Sequence, residues 1–289
     1  MEASLRQARG FRDVLGSATS DGPYVYAGIF SDADFRARWL SKKKFVLLKS
    51  IDEQLRPMLR EGERVYYLTF GSSAGLWESY FLGWITHFVN RRAIVLTDRR
   101  VLFLQIDWRI RPRELRSQLD LRAIEAIERR GLGKTGLVLR NGKQLVFSGL
   151  PGADRKALEK VVTGVRNAQP GTGSSASGVE HLCPGCKEAV RGRPDACPYC
   201  GKAFRSARKA GLLSLLFPGL GYIYLGHWKF AILEIPFASA IWLGLLLPGP
   251  RGRLTAPEML VGAILIVGLL HGSDALGAWH IGKKGHYPA

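Results

Sequence analysis

The sequence predicts an α+β protein of several domains: a partly open antiparallel β-barrel, then a small cysteine-rich module, then an apolar helical hairpin. Three observations predict this order. Short β-rich runs with turn signals fill residues 61–150, all four cysteines lie within residues 183–200, and charge almost disappears from Gly211 onward. A chain of 289 residues with 46% hydrophobic content can bury a core. The division between a charged part and an almost uncharged part indicates two different solvents.

The net charge of +18 and the isoelectric point near 10.1 indicate a polyanionic partner, either nucleic acid or the anionic surface of a membrane. Composition does not separate these partners. The apolar C-terminal region favours membrane lipids, especially anionic ones, over nucleic acid, because cytoplasmic loops of membrane proteins are rich in Lys and Arg. The first sixteen residues have scattered charges and no apolar run, so a cytosolic location without a secretory signal peptide is expected for most of the chain.

Residues 1–60 predict an N-terminal helical extension. Ser31 and Asp32 are suited to cap a first short helix, and apolar residues at helical spacing indicate a second. The residues with this spacing are Phe45, Leu48, Ile51 and Leu55. Pro57 is expected to kink or end the second helix, because proline lacks the backbone N–H that a helix interior uses.

Five side chains in two places are candidates for contact with lipid headgroups. In the N-terminal extension, Lys42, Lys43 and Lys44 combine positive charge with neighbouring aromatic rings. An aromatic, apolar segment after the first predicted strand adds Trp77 and Trp84, which an amphipathic helix would place at headgroup level. Both places have a competing interpretation, in which the lysines form a solvated charged face and the aromatic segment packs on the barrel.

Six β-rich runs and one helix make up the predicted barrel. The runs are RVYYLTF, RAIVLTD, RVLFLQI, SQLDLRAIEAIE, GLVLR and KQLVFSG. Turn signals separate them, and Asn141-Gly142 is a strong signature of a two-residue hairpin. Residues 151–167 begin with Pro151, contain Asp154 and place apolar residues at helical spacing, which predicts one closing helix. The expected architecture is an antiparallel meander capped by this helix.

Residues 61–167 resemble the bacterial pleckstrin-homology-like family and its GRAM-type relatives. The resemblance rests on EGERV before the first strand, on AIVLTDRRVLFLQ at residues 93–105, and on the final helix. A tight turn at Asp98-Arg99-Arg100 would join two buried strands, with Asp98 accepting backbone hydrogen bonds of the turn. The resemblance implies the partly open barrel, and the aromatic segment after the first strand departs from the family pattern.

A four-cysteine module follows a Gly- and Ser-rich stretch at residues 168–179, which predicts a flexible linker. Within residues 180–204, two C-x-x-C pairs turn tightly and bring four thiolates to the corners of a tetrahedron, a geometry that zinc accepts. The four candidate ligands are Cys183, Cys186, Cys197 and Cys200. The segment resembles the zinc-ribbon family, with a short interval between the pairs, and the resemblance implies structural Zn²⁺.

Other interpretations of these cysteines fit less well. A disulfide framework disagrees with a reducing cytosol, an iron–sulfur cluster usually shows other spacings, and a thioredoxin-like pair needs a βαβ pattern that is missing. Gly201 allows a left-handed backbone in which amides point at the sulfurs. Because four protein ligands leave no open coordination position, the site is expected to stabilise structure, not to catalyse.

Residues 205–289 are predicted to form a membrane domain. Two apolar runs, at about 228–247 and 257–280, are long enough to cross about 30 Å of hydrocarbon. An earlier run at 211–225 is short and interrupted by Pro and Gly, which favours an interfacial or re-entrant helix and leaves a third span as the alternative. A buried hairpin of a soluble protein is the other alternative, which the density of apolar residues disfavours.

Basic residues predict the orientation of this hairpin, because more of them flank its ends than occupy its connecting turn. The flanking residues are Arg205, Arg208, Lys209, Lys283 and Lys284, and the turn residues are Arg251 and Arg253. Both ends of the chain are therefore expected in the cytoplasm, with the protein crossing the plasma membrane, the inner membrane of a bacterium, more than once. The reducing cytoplasm also suits zinc thiolates.

FPGLGYIYLGHWKFAI resembles a small family of two-helix membrane domains with the hallmark Gly-Leu-Gly-x-x-Tyr-x-Gly, and SDALGAWHIGKK resembles the end of the second span in the same group. Glycines let two backbones approach closely in lipid. Glu234 and Asp274 are ionisable residues inside the predicted spans, which marks a candidate functional site. Asp274 can pair with Trp279 or His280 and Glu234 can lie shallow, or the two can form a proton or ion path.

No pattern of catalytic residues stands out, and GLGKTG at residues 131–136 lacks the spacer of a P-loop and joins two strands. The sequence predicts a non-catalytic membrane protein whose barrel and ribbon form a cytosolic recognition or assembly platform for lipids and an unidentified protein, with its oligomeric state open. Two rivals are a membrane-linked nucleic-acid-binding regulator and a small transporter or channel component that uses Glu234 and Asp274.

Overall fold

The computed structural model describes residues 22–30, 38–73, 89–131, 133–167, 178–247 and 255–289. Four sequence predictions lie outside these residues: the cap at Ser31 and Asp32, the aromatic segment with Trp77 and Trp84, most of the linker, and the connecting turn with Arg251 and Arg253. The chain divides into two compact units. The first contains most residues up to Glu180, and the second contains the residues from His181 onward with Val89 and the segment Glu114–Arg116.

The first unit combines helices with two open antiparallel sheets. Its helices are α1 (Tyr26–Ile29), α2 (Arg38–Leu55) and α3 (Gly152–Asn167). Its strands are β1 (Val65–Ser72), β2 (Arg91–Thr97), β3 (Arg100–Ile106), β4 (Pro112–Asp120), β5 (Ile124–Arg130), β6 (Lys134–Leu139) and β7 (Gln144–Phe147). Strands β1 to β4 lie in order in one sheet and β5 to β7 in the other. The predicted α+β class, antiparallel strands and closing helix are confirmed.

The run at residues 117–128, predicted as one β-rich segment, is two strands. A short 3-10 turn, Leu121–Ala123, separates β4 from β5. The side chain of Asp120 caps this turn by accepting a 2.9 Å hydrogen bond from the backbone N–H of Arg122. An aspartate that holds the next backbone groups in this way starts a turn, so the chain leaves the first sheet here and enters the second.

The EGERV and LTDRR motifs meet in a buried ion pair. Arg100 Nη2 lies 2.8 Å from Glu63 Oε2, and the Thr97 hydroxyl also donates to the Glu63 carboxylate at 2.7 Å. Burial opposes ionisation of Glu63, but the hydrogen bonds from Arg100 and its neighbours outweigh burial and hold the pKa of this carboxyl below its ordinary value. The motifs therefore have a structural role.

In the turn between β2 and β3, Thr97 Oγ1 accepts hydrogen bonds from the N–H groups of Arg99 and Arg100, at 3.1 and 3.0 Å. Asp98 accepts a 3.0 Å bond from the backbone N–H of Arg64. The motif thus joins the turn to the chain segment that leads into β1.

Helix α2 packs on β1 through the apolar face that the sequence predicted. Leu48, Ile51 and Leu55 are buried, and the helix ends at Leu55, two residues before Pro57. The same inward face carries Lys44, whose Nζ lies 2.8 Å from Asp154 Oδ1, with both side chains at most 1% exposed.

Lys44 therefore does not contact lipid headgroups, and its predicted role there is wrong, because α2 turns this side chain inward. Asp154 also accepts hydrogen bonds from the hydroxyls of Tyr67 at 2.7 Å and Thr69 at 2.6 Å. Asp154 lies in the first turn of α3, where the helix dipole favours a negative charge. Lys42 and Lys43 are exposed, so the headgroup prediction stays open for these two lysines, as it does for Trp77 and Trp84 outside the described residues.

The second unit contains a small hairpin followed by helices. The hairpin is β8 (Glu180–Leu182) with β9 (Ala189–Val190). The helices are α4 (Ala207–Leu216), α5 (Leu220–Tyr224), α6 (Trp228–Leu246), α7 (Ala256–Leu265) and α8 (Gly272–Gly282). A π-helical stretch, Ile266–His271, makes α7 and α8 continuous.

Two glycines allow α4, α5 and α8 to pack closely. A Cβ on Gly221 would collide with the Ala210 carbonyl and the Ser214 hydroxyl of α4. A Cβ on Gly282, in α8, would lie 2.8 Å from the Cα of Ala207. These positions need glycine because any side chain would push the helices apart.

Candidate metal centre and membrane helices

The four predicted cysteine ligands meet at one point. Their sulfur atoms all lie within 4.8 Å of one another, and the Cys183–Cys200 and Cys186–Cys197 sulfur pairs are each 3.6 Å apart. A tetrahedral Zn²⁺ with Zn–S bonds of about 2.3 Å separates its sulfurs by about 3.8 Å. All four cysteines are free thiols. The residues present therefore fit a single metal ion held by four thiolates.

The two halves of the module have the same backbone geometry. In the first half, the Cys183 N–H donates to the Glu188 carbonyl at 2.9 Å and the Lys187 N–H donates to the Cys183 carbonyl at 3.0 Å. The second half repeats both bonds at the equivalent residues, at 2.9 Å each. Gly201 has the predicted left-handed backbone, with φ of 71°, and Lys187 takes the same conformation at the equivalent position.

Backbone amides donate hydrogen bonds to the sulfurs of Cys183 and Cys200. The Gly185 N–H donates to Cys183 Sγ at 3.3 Å, and the backbone N–H of Lys202 lowers the pKa of the Cys200 thiol to about 6. Burial raises the pKa of the Cys183 thiol and raises that of Cys186 to about 12. Amide donors stabilise thiolates, and a metal ion would ionise the remaining thiols by coordination.

Metal affinity is expected to fall steeply as the pH falls. The Cys183 and Cys186 thiols are protonated at neutral pH, so metal binding displaces at least two protons and the affinity should drop roughly 100-fold per pH unit. Competition with a chromophoric chelator at pH 6.5, 7.0 and 7.5 measures this slope. An affinity that does not change with pH would contradict coordination by all four thiolates.

The C-terminal residues of the chain pack against the four-cysteine module. The ring centroids of Phe204 and His286 are 4.5 Å apart, and Phe204 and Pro288 form an antiparallel bridge. The Ala289 N–H donates to the Ala203 carbonyl at 3.0 Å. The segment that follows the last helix thus runs beside the second cysteine pair and forms one isolated β-bridge with it.

Two helices of the second unit are long and apolar enough to cross a membrane. They are Trp228–Leu246 and Pro257–Gly282, and 11% of the apolar window of each is buried. A core helix of a soluble protein would be mostly buried, whereas these helices expose large apolar side chains. Those exposed on them by more than half are Trp228, Ile232, Leu233, Phe237, Leu243, Leu246, Leu260, Val261, Ile264, Leu265, Leu269 and Leu276.

A backbone break between α4 and α5 explains Asp274. The helices separate at residues 217–219, where Gly219 has a left-handed backbone with φ of 90°. The free N–H of Gly219 donates to Asp274 Oδ2 at 2.8 Å. The predicted pairing of Asp274 with Trp279 or His280 is therefore replaced by a backbone partner. An unpaired N–H would be costly in lipid, so the carboxylate stabilises the broken segment.

His271, one turn before Asp274, satisfies the other side of the same break. The indole N–H of Trp242 donates to His271 Nε2 at 2.9 Å. An indole N–H can only donate, so Nε2 accepts and the proton lies on Nδ1, which donates to the Leu215 carbonyl at 2.9 Å. His271 thus connects α6 to the last turn of α4.

The structure also brings Glu234 beside Asp274. The two carboxyl groups come from different helices and are close enough to interact, and Glu234 Oε2 is buried with no hydrogen-bond partner among the described residues. Of the two predicted intramembrane carboxyls, Asp274 thus accepts from the backbone at the helix break. Glu234 interacts with Asp274 and keeps one buried oxygen, Oε2, without a hydrogen bond among the described residues. Glu234 remains the candidate for a function beyond packing.

Replacing Asp274 with Leu is expected to destabilise the packing of α4 and α5 against α8 by about 1–3 kcal/mol, because the Gly219 N–H loses its acceptor. Asp274→Asn keeps a carbonyl oxygen there and should cost much less. Thermal unfolding of the full chain in detergent compares the variants. Equal stability of the Leu and Asn variants would show that the capping bond has no structural role.

Sequence reasoning missed His271 and Trp242 in this site. A signal was present, since His271 and Asp274 are three residues apart and therefore share a helix face. The sequence at residues 217–219 also indicates a helix break. The backbone N–H and C=O groups that such a break frees need partners inside an apolar region. No sequence signal indicated that the indole N–H of Trp242 would reach His271, because the alignment of the two helices depends on how they pack.

Comparison with known proteins assigns no family. No protein-family model matches the chain, and no curated protein sequence matches it. The three family resemblances seen in the sequence therefore stay predictions.

Proposed function

We propose that the chain is a non-catalytic integral membrane protein whose α6 and α7–α8 helices cross the bilayer. They would hold the first unit and the zinc ribbon at the cytosolic face as a recognition or assembly platform. The observation that carries this proposal is the exposure of the long apolar helices, which are 11% buried over their most apolar windows. Soluble proteins rarely expose apolar surface on this scale, and lipid would cover it.

Cation–aromatic pairs at one end of the hairpin support the orientation. At the start of α6 and the end of α8, Lys229 lies 5.8 Å from the Trp228 ring and Lys283 lies 3.0 Å from the Trp279 ring. Lys209 lies 5.3 Å from the ring of Tyr224. Trp and Tyr concentrate at membrane interfaces and Lys and Arg on the cytoplasmic side. This end of the hairpin would face the cytoplasm, with both chain termini there.

Zinc is the metal that the cysteine centre suits best. The 3.6 Å sulfur pairs fit one tetrahedral ion, whereas a cluster of several irons would need wider sulfur spacing. Four thiolates leave no position for substrate, so the ion would have a structural role. A single iron is the competing ion, and elemental analysis of the purified protein distinguishes the two.

The first unit would be the pleckstrin-homology-like part of the platform. Its two open antiparallel sheets and closing helix α3 support this. We propose that these elements form the partly open barrel. Anionic lipids and an unidentified protein are the proposed partners. Lys42 and Lys43 on α2 are exposed, and lipid contact is proposed for both.

Reporter fusions test the orientation. A reporter active only in the cytoplasm should be active after Ala289 and inactive after Leu247, which lies between the two long helices. A reporter active only outside the cytoplasm should show the opposite pattern. Equal activity of one reporter at both positions would contradict a hairpin that crosses the membrane twice.

A transporter or channel component is a second candidate. The observation that favours it is the buried Glu234 Oε2, which lies beside Asp274 and has no hydrogen bond among the described residues. In this case Glu234 and Asp274 would carry a proton or cation through the membrane domain. Proton flux into liposomes containing the full chain, abolished by Glu234→Gln and by Asp274→Asn, would support it. Flux equal to that of empty liposomes would exclude it.

A further inference from the structure

Three basic side chains from separate segments of the second unit come together beside the end of α8. Arg208 follows Ala207 in α4, and Lys283 directly follows Gly282, the last residue of α8. Ala207 and Gly282 are residues at which these helices touch. The charge of Arg208 acts on Lys283, so the two cations are near each other. Arg193, from the cysteine module, donates a 3.0 Å hydrogen bond from Nη2 to the Lys283 carbonyl.

No acidic side chain balances this group among the described residues. None of the ion pairs seen there includes Arg193, Arg208 or Lys283. Desolvation, followed by the positive charges of Arg193 and Arg208, lowers the pKa of Lys283. A folded protein that gathers three cations without a counter-charge stabilises them best by binding an anion.

The surroundings of this cluster indicate the depth of a lipid headgroup. Lys283 Nζ lies 3.0 Å from the centroid of the Trp279 ring, and Trp279 is partly exposed. One turn from Arg208, Leu212 of α4 is 67% exposed, and two turns from Lys283, Leu276 of α8 is 66% exposed. The cations therefore adjoin exposed apolar surface on both helices, which free phosphate would not use and acyl chains would cover.

We infer that Arg193, Arg208 and Lys283 bind the phosphate of an anionic phospholipid headgroup, whose acyl chains lie over Leu212 and Leu276. Guanidinium groups suit phosphate because they donate two parallel hydrogen bonds, and a lysine adds a point charge. The inference rests on the proposed membrane insertion. It adds a defined lipid site where the cysteine module meets the membrane helices.

Lipid binding to the full-length protein in detergent micelles tests the site. Energy transfer from tryptophan to a fluorophore on the acyl chain reports binding of phosphatidylglycerol or phosphatidylcholine. The wild type is expected to prefer phosphatidylglycerol, and the double variant Arg208→Gln, Lys283→Gln is expected to bind it about 25-fold more weakly, about fivefold per basic residue. Binding of phosphatidylcholine should not change.

The matched control is Arg191→Gln with Lys143→Gln, which removes two exposed charges elsewhere. Three results would each overturn the inference. They are an equal loss of binding in the test and control variants, no preference of the wild type for phosphatidylglycerol, and displacement of the lipid by about 10 mM inorganic phosphate. Thermal unfolding checks that the double variant is folded, and Lys283→Gln alone provides a milder test. Release of the wild type from membranes by alkaline washing would instead refute the proposed membrane insertion.

Discussion

Removal of the metal is expected to unfold the four-cysteine module and to release the C-terminal residues from it. The module has a very small core, in which Cys183 and Cys197 are buried together with Val190 and Phe204. Half of this core consists of candidate metal ligands. Zinc contributes about 10–16 kcal/mol to the folding of comparable peptides, so the apolar contacts alone would not hold the module. His286 would then lose its stacking partner Phe204.

Hydrogen–deuterium exchange with and without a chelator measures this effect. The amides of Cys197 and Gly201 and the Ala289 amide should lose protection together, and added zinc should restore it. Helix α3, in the other unit, should keep its protection and serves as the internal control. Cys197→Ser should reproduce the chelated state. Protection of Ala289 that survives metal removal would show that the C-terminal segment is held independently of the metal.

Replacing Asp154 with Ala is expected to cause the largest loss of stability in the first unit, about 3–5 kcal/mol. The change leaves the Lys44 ammonium, at 1% exposure, without its counter-charge. It also removes the acceptor for the hydroxyls of Tyr67 and Thr69. A buried charge without a partner is far more costly than the loss of one hydrogen bond.

Hydrogen exchange of the β1 amides reports the opening free energy of this unit within the full chain. Glu159→Ala is the matched control on the same helix, because its pair with Arg129 is exposed and should contribute less than about 1 kcal/mol. The double variant Lys44→Met, Asp154→Leu should recover much of the lost stability, since an apolar pair needs no charge compensation. Equal effects of Asp154→Ala and Glu159→Ala would contradict a central role for the buried pair.

Local patterns in the sequence predicted those parts of the fold that depend on neighbouring residues. Apolar residues at helical spacing located the buried face of α2, and Asn141-Gly142 located the hairpin between β6 and β7. The C-x-x-C spacing located the metal centre, because each pair needs only a tight turn to orient its sulfurs. The split at Leu121–Ala123 was missed although Asp120 carried the signal for it.

Long-range pairs were not predictable in the same way. Lys44 resembles its exposed neighbours Lys42 and Lys43 in the sequence, but the distant Asp154 provides a counter-charge for it in the interior. The partner of Asp274 could not be found from the residues nearby, because it is a backbone N–H exposed by a helix break elsewhere in the chain. Such pairs follow from the packing of whole elements, which sequence spacing does not encode.

Alkaline extraction of membranes is the most direct test that Trp228–Leu246 and Pro257–Gly282 cross a bilayer. We expect the full-length chain to stay in the membrane pellet after washing with alkaline carbonate and to leave it only with detergent. Peripheral proteins held by charge would be released by the same wash. Recovery of the full-length chain as a monodisperse species from a detergent-free lysate would contradict membrane insertion.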